Sequence, residues 1–221
     1  MSETGGRGAV ALGEAWWGWR DLDGRWRWWA WWGGVGAGDA GRMMIPDTKD
    51  WTWVLERPCA ECGLDTSAVG FEQVSGMIRA NAAAWTELLA GDPAVLRERP
   101  RAEVWSVLEY ACHVRDVFRL FDVRLKLMLA EDDPLFANWD QDATAVEERY
   151  GEQEAAVVSE ELADGAEQLA RSFEAVPDAA RARTGLRSDG ARFTVESFAR
   201  YLIHDPVHHR YDVTGVMHVG S

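Results

Sequence analysis

The sequence predicts an all-α protein, an antiparallel four-helix bundle with an irregular N-terminal extension. Apolar residues recur at helical spacing in four segments after residue 70, and no segment there alternates apolar and polar residues as a half-buried strand does. Breaks containing glycine, proline and aspartate separate these segments. With 221 residues and 47% hydrophobic content, the chain is long enough to bury one sizeable core.

The first 42 residues differ in composition from everything after them. They hold eight of the thirteen tryptophans, mixed with glycine, arginine and alanine, and lack helical or alternating periodicity. All four residue types have GC-rich codons, so we interpret residues 1–42 as a disordered extension or as upstream DNA read in frame before a natural start at Met43 or Met44. A tryptophan-rich peptide that binds a membrane or a protein is the alternative. Residues 43–69 then form an N-terminal segment, and residues 70–221 form the bundle.

Two helices are predicted in the first half of the bundle. The first runs from Phe71 to Leu89 and buries a stripe made of Val74, Ile78, Ala82, Trp85 and Leu89. The second runs from about Ala102 to Ala130 and is expected to turn inward Trp105, Leu108, Cys112, Leu120, Val123 and Leu127. Its basic residues are expected to face solvent, namely Arg115, Arg119, Arg124 and Lys126. Glu109 and His113 share one strip of this helix, which places His113 at core depth.

Two further helices are predicted in the second half. A long connection through Phe136, Trp139 and Asp142 leads to a third helix from about Thr144 to Ala175, interrupted near Gly151. The fourth helix begins at the N-cap Thr194 and continues into a histidine-rich run. Pro206 lies inside that run and predicts a kink, the alternative being a helix that ends near Asp205.

The histidines of the last helix predict a metal site. His204 and His208 are four residues apart, so their rings lie on one helix face. A third imidazole, His113 from the second helix, completes a three-histidine set that leaves a coordination position open for water or substrate. The alternatives are a chance pair on a solvated face and, for His113, a hydrogen-bonded core histidine.

Cys59 and Cys62 form a Cys-x-x-Cys pair in the N-terminal segment. Two thiolates suit zinc, although a tetrahedral site needs two more ligands, which only Cys112, His209 and His218 remain to supply. The sequence leaves open a structural or redox-inert pair, a second metal site and a redox-active dithiol. The segment, with Trp51 and Trp53, is also able to fold over the bundle mouth and bring a cysteine to the metal. Cys112 is expected to be a small core residue.

Charge and cysteine content limit the function classes. A formal net charge of -14 argues against binding to nucleic acid or to an anionic membrane, because both need clustered lysine and arginine. Three cysteines do not form a secreted disulfide framework, and no apolar run is long enough to span a membrane. We therefore expect a cytoplasmic protein.

Two stretches of the sequence resemble the DinB-like superfamily, which includes thiol-dependent S-transferases and maleylpyruvate isomerases. They are the run from Trp105 to Asp116, WSVLEYACHVRD, and the run from His204 to His208, HDPVH. The resemblance covers about residues 70–216. It implies a four-helix bundle with a divalent metal, commonly zinc or nickel, held in a cavity by His113, His204 and His208. Some isomerase relatives carry a glutamate at the position of His204.

The resemblance and the chemistry of such a metal together predict a thiol-dependent S-transferase. The metal would activate water or a low-molecular-weight thiol such as mycothiol for attack on a small electrophile. The residues expected to assist are Glu109 and Asp205 as orienters of the ligands, Tyr201 or Tyr211 as hydrogen-bond donors, and Arg115 or Arg192 as partners of a substrate carboxylate. The alternative function is a non-catalytic metal-binding or partner-binding protein whose metal is structural or sensory. A homodimer is also expected, since four-helix proteins of this size often pair.

Overall fold

The computed structural model describes residues 50–218 and, nearer the N-terminus, the backbone of two short strands. The chain divides into two compact units, Met1–Gly41 and Arg42–Ser221. In the first unit, β1 (Gly18–Arg20) pairs with β2 (Trp26–Trp28) in antiparallel register. The rest of the predicted extension and the two proposed start sites, Met43 and Met44, lie outside the described residues.

The second unit is built on four long helices, as the sequence predicted. They are α1 (Phe71–Leu89), α3 (Val107–Ala130), α5 (Ala155–Glu174) and α6 (Val195–Thr214), with the short helices α2 (Pro93–Leu96) and α4 (Gln141–Glu147) in the connections. Helix α5 packs along both α1 and α3, and α6 closes the bundle against the same two helices. Among the described residues, no helix is both long and apolar enough to cross a membrane.

Capping residues explain where the helices begin. Helix α3 starts five residues later than predicted, because Ser106 and Glu109 form a capping box. The Ser106 hydroxyl accepts from the Glu109 amide at 3.3 Å, and the Glu109 carboxylate accepts from the Ser106 amide at 2.8 Å. Thr194 caps α6 as predicted, accepting from the Ser197 amide at 3.0 Å. The predicted interruption near Gly151 is a 3-10 turn, Tyr150–Glu152, that separates α4 from α5.

The core face of α3 differs from the predicted one in its second half. Phe118, Phe121, Leu125 and Met128 form the buried stripe, whereas Val123, predicted to face inward, is 55% exposed. Arg115 and Arg124, predicted to face solvent, are instead buried. The cause for Arg124 is tertiary: the connection after α3 covers it, and its guanidinium donates to the Ala137 carbonyl at 2.9 Å and lies over the Phe136 ring.

A small three-stranded sheet was not predicted from the sequence. Strand β3 (Leu135–Phe136) runs parallel to β4 (Thr184–Arg187), which pairs with β5 (Arg192–Thr194) in antiparallel register. The strands have two to four residues, too short for alternation to be visible. The sheet joins the connection after α3 to the turn before α6, and both contribute residues to the cavity that the α6 histidines line.

Helix α6 continues through Pro206 and does not end at Asp205. The Asn81 side chain of α1, itself buried, donates to the Pro206 carbonyl at 2.9 Å and braces the helix there. Against the same helix pack two 3-10 turns of the N-terminal segment, Trp51–Leu55 and Thr66–Ala68. The segment therefore lies beside the histidine-bearing part of α6.

Candidate functional site

Helix α6 presents metal-donor side chains on two adjacent strips. His204 and His208 form one strip, and Asp205 and His209 form the other, each pair separated by four residues. Consecutive helical positions differ by about 100° in direction. The two strips therefore face different neighbours, the N-terminal segment on one side and α3 on the other.

The first strip meets the two cysteines. Cys59, Cys62, His204 and His208 are all buried and offer four donor atoms that lie within 4.8 Å of one another; we call these residues the cysteine–histidine group. The Cys59 sulfur lies 3.6 Å from His208 Nδ1. Of the roles left open for the cysteines, this placement favours metal binding, with His204 and His208 as the further donors in place of the predicted Cys112, His209 and His218. Redox catalysis is disfavoured because burial raises the pKa of the Cys62 thiol to about 12.

The second strip meets the histidine of α3. His113, Asp205 and His209 form the other group of donor atoms within 4.8 Å of one another, here called the histidine–aspartate group. His113 Nε2 lies 3.4 Å from Asp205 Oδ1, and His209 Nε2 lies 3.8 Å from Asp205 Oδ2. His113 is fully buried, and neither of its ring nitrogens makes a well-formed hydrogen bond with the described residues. Such a pair of nitrogens suits a metal ion between the three side chains.

The structure divides the predicted three-histidine set between these groups. His204 and His208 lie together as predicted, but with the cysteines, whereas His113 lies with Asp205 and His209. Asp205, predicted to orient ligands, therefore occupies a donor position itself. Asp205 and His209 have the same i, i+4 spacing that identified His204 and His208. The sequence alone could therefore have indicated the second group of donors.

Carboxylates hold the imidazoles of both groups. Asp212 accepts from His209 Nδ1 at 2.9 Å with one oxygen and lies 3.6 Å from His208 Nε2 with the other. Glu61 lies 3.3 Å from His208 Nε2. These contacts leave His209 Nε2 directed at Asp205 and His208 Nδ1 directed at Cys59, since each ring uses its other nitrogen for a carboxylate.

Burial also sets the charge state of the donors. Burial lowers the pKa of His113 below its ordinary value, although Asp205 opposes the shift, and burial lowers the pKa of His208 as well. Burial opposes ionisation of Asp205, whereas the positive charges of His209 and His113, when these rings are protonated, lower the pKa of Asp205 to about 2. A metal ion needs these imidazoles neutral and Asp205 ionised, and its own positive charge would then replace theirs beside the carboxylate.

A cavity of about 460 Å³ opens beside these residues. Its wall includes His204, Asp205, His208 and His209 from α6, together with Trp51 of the N-terminal segment. The side opposite α6 is formed by the connection after α3 and by the sheet turn, through Asn138, Trp139, Asp140, Gln141, Asp142, Arg187 and Asp189. Asn138 and Asp140 are exposed, so a small molecule can enter from solvent.

Two arginines in the cavity wall were not predicted as site residues. Arg124 is 8% exposed and has no carboxylate partner within salt-bridge distance among the described residues. Burial lowers the pKa of Arg124 to about 10, and the positive charge of nearby Arg187 adds to this effect. Arg187 is paired with Asp189 and donates to the Tyr201 hydroxyl at 2.8 Å. Only the fold brings these side chains to the cavity, because they come from α3 and β4.

The remaining predicted site residues lie as follows. Glu109 caps α3 and receives hydrogen bonds from Arg99, with Nε to Oε2 at 2.8 Å. Tyr201 lines the cavity, and the ring of Tyr211 lies 6.2 Å from that of His208. Arg115 binds Asp116 and Glu161, and Arg192 binds Asp133, away from the cavity wall.

Comparisons with known proteins agree with this architecture. A family model described as the DinB superfamily matches residues 73–213. Among solved structures, one that is similar to this chain is YfiT from Bacillus subtilis, described as a probable metal-dependent hydrolase with an unusual four-helix bundle topology. The two chains are 20% identical with a TM-score of 0.57, and the match covers 66% of this chain and 82% of YfiT.

A mycothiol-dependent maleylpyruvate isomerase is a further similar structure. It is 12% identical with a TM-score of 0.57, covering 69% of this chain and 64% of its own, so the chain spans less than two thirds of the isomerase. A structure of a mutant of the isomerase gives the same values. No curated protein sequence matches the chain. At these identities the structural likeness establishes the fold alone.

Proposed function

The chain belongs to the DinB superfamily, and on that premise we propose that it is a metal-dependent, thiol-dependent S-transferase whose ion is held by the histidine–aspartate group. The observation that carries the proposal is the meeting of His113, Asp205 and His209 beside a solvent-reachable cavity. Three protein donors leave coordination positions for a reactant, as catalytic sites require. The sequence resemblance aligned the glutamate of some isomerase relatives with His204; in the histidine–aspartate group the carboxylate is that of Asp205, one position later.

The donor chemistry fits zinc or nickel. Two imidazole nitrogens and one carboxylate oxygen form a donor set that is found in catalytic zinc sites, and imidazole suits zinc and nickel better than an all-oxygen site would. A divalent ion in that position lowers the pKa of a bound thiol or water and so supplies a nucleophile near neutral pH. The mycothiol dependence of one structural neighbour supports a low-molecular-weight thiol as the co-substrate.

The protein's own residues hold the reactants. The His113 ring stacks on Trp139, with centroids 5.3 Å apart and planes inclined by 10°, so both the donor and the wall of the cavity are fixed. Arg124 supplies a buried positive charge to the same cavity. We assign it the task of binding an anionic group of the electrophile, the role predicted for Arg115 or Arg192. In the transfer, the thiol proton leaves to solvent, sulfur forms the bond to carbon, and the leaving group departs with the electron pair.

The test of this proposal is thiol conjugation to a chlorinated aromatic by metal-loaded protein. We expect turnover by the wild type, and loss of both the ion and turnover in His113→Ala and His209→Ala. His209→Ala separates the two ligand sets, because the three-histidine set does not include His209. Turnover and a full metal complement in folded His209→Ala would overturn the assignment to the histidine–aspartate group. A metal-loaded wild type that hydrolyses esters but transfers no thiol would replace transferase with hydrolase.

The role of Arg124 is tested by the charge of the electrophile. In Arg124→Gln we expect KM to rise about 10-fold or more for an electrophile that carries a carboxylate, since a charged hydrogen bond contributes about 1.5–3 kcal/mol. A neutral electrophile of the same shape serves as the control and should be little affected. Equal changes for both electrophiles would remove Arg124 from substrate binding.

Two broader expectations belong to this proposal. We place the reaction in the cytoplasm, where low-molecular-weight thiols stay reduced. We also propose a homodimer, which light scattering on the purified chain would test. The predicted roles of Glu109, Tyr201 and Tyr211 around the site remain proposals of the same kind.

A further inference from the structure

We infer that the cysteine–histidine group is a second metal site, a zinc site of structural rather than catalytic character, which fastens the N-terminal segment to α6. It does not depend on the proposed transferase activity, because none of its four residues belongs to the histidine–aspartate group. The chemical class of the ligand follows from the donors, since two thiolates and two imidazoles are a common structural set for zinc.

The distances already approach those of a tetrahedral site. Zinc binds sulfur at about 2.3 Å and nitrogen at about 2.0–2.1 Å, so donors around one ion lie roughly 3.3–3.8 Å apart. The Cys59 sulfur and His208 Nδ1 are 3.6 Å apart, and all four donor atoms lie within 4.8 Å of one another. Small side-chain adjustments would complete the site.

The local backbone points both thiols in one direction. The Cys59 amide donates to the Leu64 carbonyl at 2.9 Å, and the Gly63 amide donates to the Cys59 carbonyl at 2.9 Å. Gly63 has a φ of 80°, a left-handed conformation that side chains rarely adopt, and it closes the turn directly after Cys62. The His218 amide donates to the Cys62 carbonyl at 2.6 Å, so the chain after α6 secures the turn from outside.

The surroundings resemble those of a closed metal site. His208 directs Nδ1 at Cys59 while Nε2 faces Glu61 and Asp212, an arrangement in which a carboxylate fixes the ligating tautomer. The Trp51 ring lies 5.3 Å from the His204 ring and 5.0 Å from the His208 ring, measured between centroids, and covers both imidazoles. Four protein donors would complete a tetrahedral coordination shell and leave no coordination position for a substrate.

The charges allow this ion to lie close to a catalytic one. Two thiolates balance the two positive charges of zinc, so the completed site is neutral and does not repel a cation in the histidine–aspartate group. The ion would also shape the cavity, because the segment that it fastens supplies Asp50 and Trp51 to the cavity wall. Loss of zinc should therefore loosen that wall.

Cobalt absorption on the full chain tests the inference without any variant. Cobalt replaces zinc in tetrahedral sites, and a cysteine ligand gives a thiolate-to-cobalt charge-transfer band that nitrogen and oxygen ligands do not give. We expect this band in the cobalt-loaded wild type and its loss on titration with zinc. A cobalt-loaded wild type that lacks the band would overturn the inference, as would a Cys59–Cys62 disulfide in protein purified under reducing conditions.

Variants assign the band to its residues. The double variant Cys59→Ser, Cys62→Ser should abolish it, whereas Cys112→Ser should retain it, because Cys112 is equally buried but lies in the bundle with Tyr150 and Gln153. Persistence of the band in the double variant would overturn the assignment. His113→Ala should keep the band while losing turnover, so failure of the transferase proposal is distinguishable from failure of this one.

Discussion

Asp212 is the residue that links the two donor groups. One carboxylate oxygen binds His209 Nδ1 at 2.9 Å, and the other faces His208 Nε2 at 3.6 Å. A single side chain therefore sets the direction of an imidazole in each group. Asp212 lies eight residues after His204 on the same helix, so helical periodicity predicts that the two share a face. Its contact with two histidines at once could not be predicted in this way, because that contact depends on the side-chain rotamers of the folded protein.

We predict that Asp212→Asn weakens metal binding about 10–100-fold, the usual effect of removing the carboxylate behind a histidine ligand. Competition with a chromophoric chelator measures it. Asp178→Asn is the matched control, because Asp178 is exposed and pairs with Arg181, away from both groups. Unchanged affinity in Asp212→Asn would show that the two histidines do not depend on this carboxylate.

Glu109 gives a prediction about pH. Burial opposes its charge, yet hydrogen bonds from Arg99 and Ser106 outweigh burial and hold the pKa of Glu109 below its ordinary value. A carboxyl whose folded-state pKa is depressed stabilises the protein above its unfolded pKa, and the stabilisation is lost as pH falls through the folded-state pKa. We expect Glu109→Gln to lower the free energy of unfolding by about 1.5–3 kcal/mol at pH 7.

The difference between wild type and Glu109→Gln should shrink as pH falls below about 4.5, the ordinary glutamate range, as urea unfolding at several pH values would show. Glu152→Gln is the control, since Glu152 forms an exposed pair with Arg149 and such pairs contribute about 0–1 kcal/mol. A difference that stays constant down to pH 3 would contradict the role of the Glu109 charge.

At the scale of elements, the short sheet depends on a close approach at Gly185. A Cβ added there would lie 2.5 Å from Phe136 Cζ and 2.9 Å from Met128 Cγ. We predict that Gly185→Ala destabilises the protein by about 1–3 kcal/mol, as overpacking does. Gly76→Ala is the opposite case, because nothing lies within 4 Å of its added Cβ in α1, and it should stabilise by about 0.5–1 kcal/mol. Thermal unfolding measures both, and equal melting temperatures would contradict the packing argument.

The elements differ in how far the sequence alone predicted them. The approximate bounds predicted for helix α1 agree with the structure, because an apolar stripe and the break at Gly91 to Pro93 define the helix. The start of α3 was misplaced although Ser106 and Glu109 show the spacing of a capping box, a local signal that was overlooked. Nothing in the sequence around Arg124 predicts that its side chain is buried, because the burial depends on contacts with Phe136 and Ala137 in the connection after α3.

The candidate site was also only partly predictable from the sequence. Helical spacing placed His204 beside His208, and it also relates Asp205 to His209. Spacing does not show which strip faces α3, because that depends on the rotation of α6 within the bundle. The cysteines lie beside His204 and His208 because of the path that the N-terminal segment takes over α6. The sequence left that path open among several possibilities.

At the scale of the whole molecule, metal binding and stability should be coupled. An ion in the cysteine–histidine group would join the N-terminal segment to α6, and an ion bound only by the folded state stabilises that state. The segment consists of short 3-10 turns and irregular chain, so it has few other means of holding its position. We predict that chelation lowers the melting temperature and exposes residues 50–69 to limited proteolysis before the bundle unfolds. Cleavage within the bundle first would contradict this coupling.

Two separate metal sites on α6 would be visible in the metal content of the full chain purified without chelator. We expect two divalent ions per wild-type chain, at least one of them zinc. We expect one ion in the double variant Cys59→Ser, Cys62→Ser, and one in His113→Ala. A folded wild-type chain that binds no divalent ion, or a single ion lost in both variants, would contradict the presence of two sites.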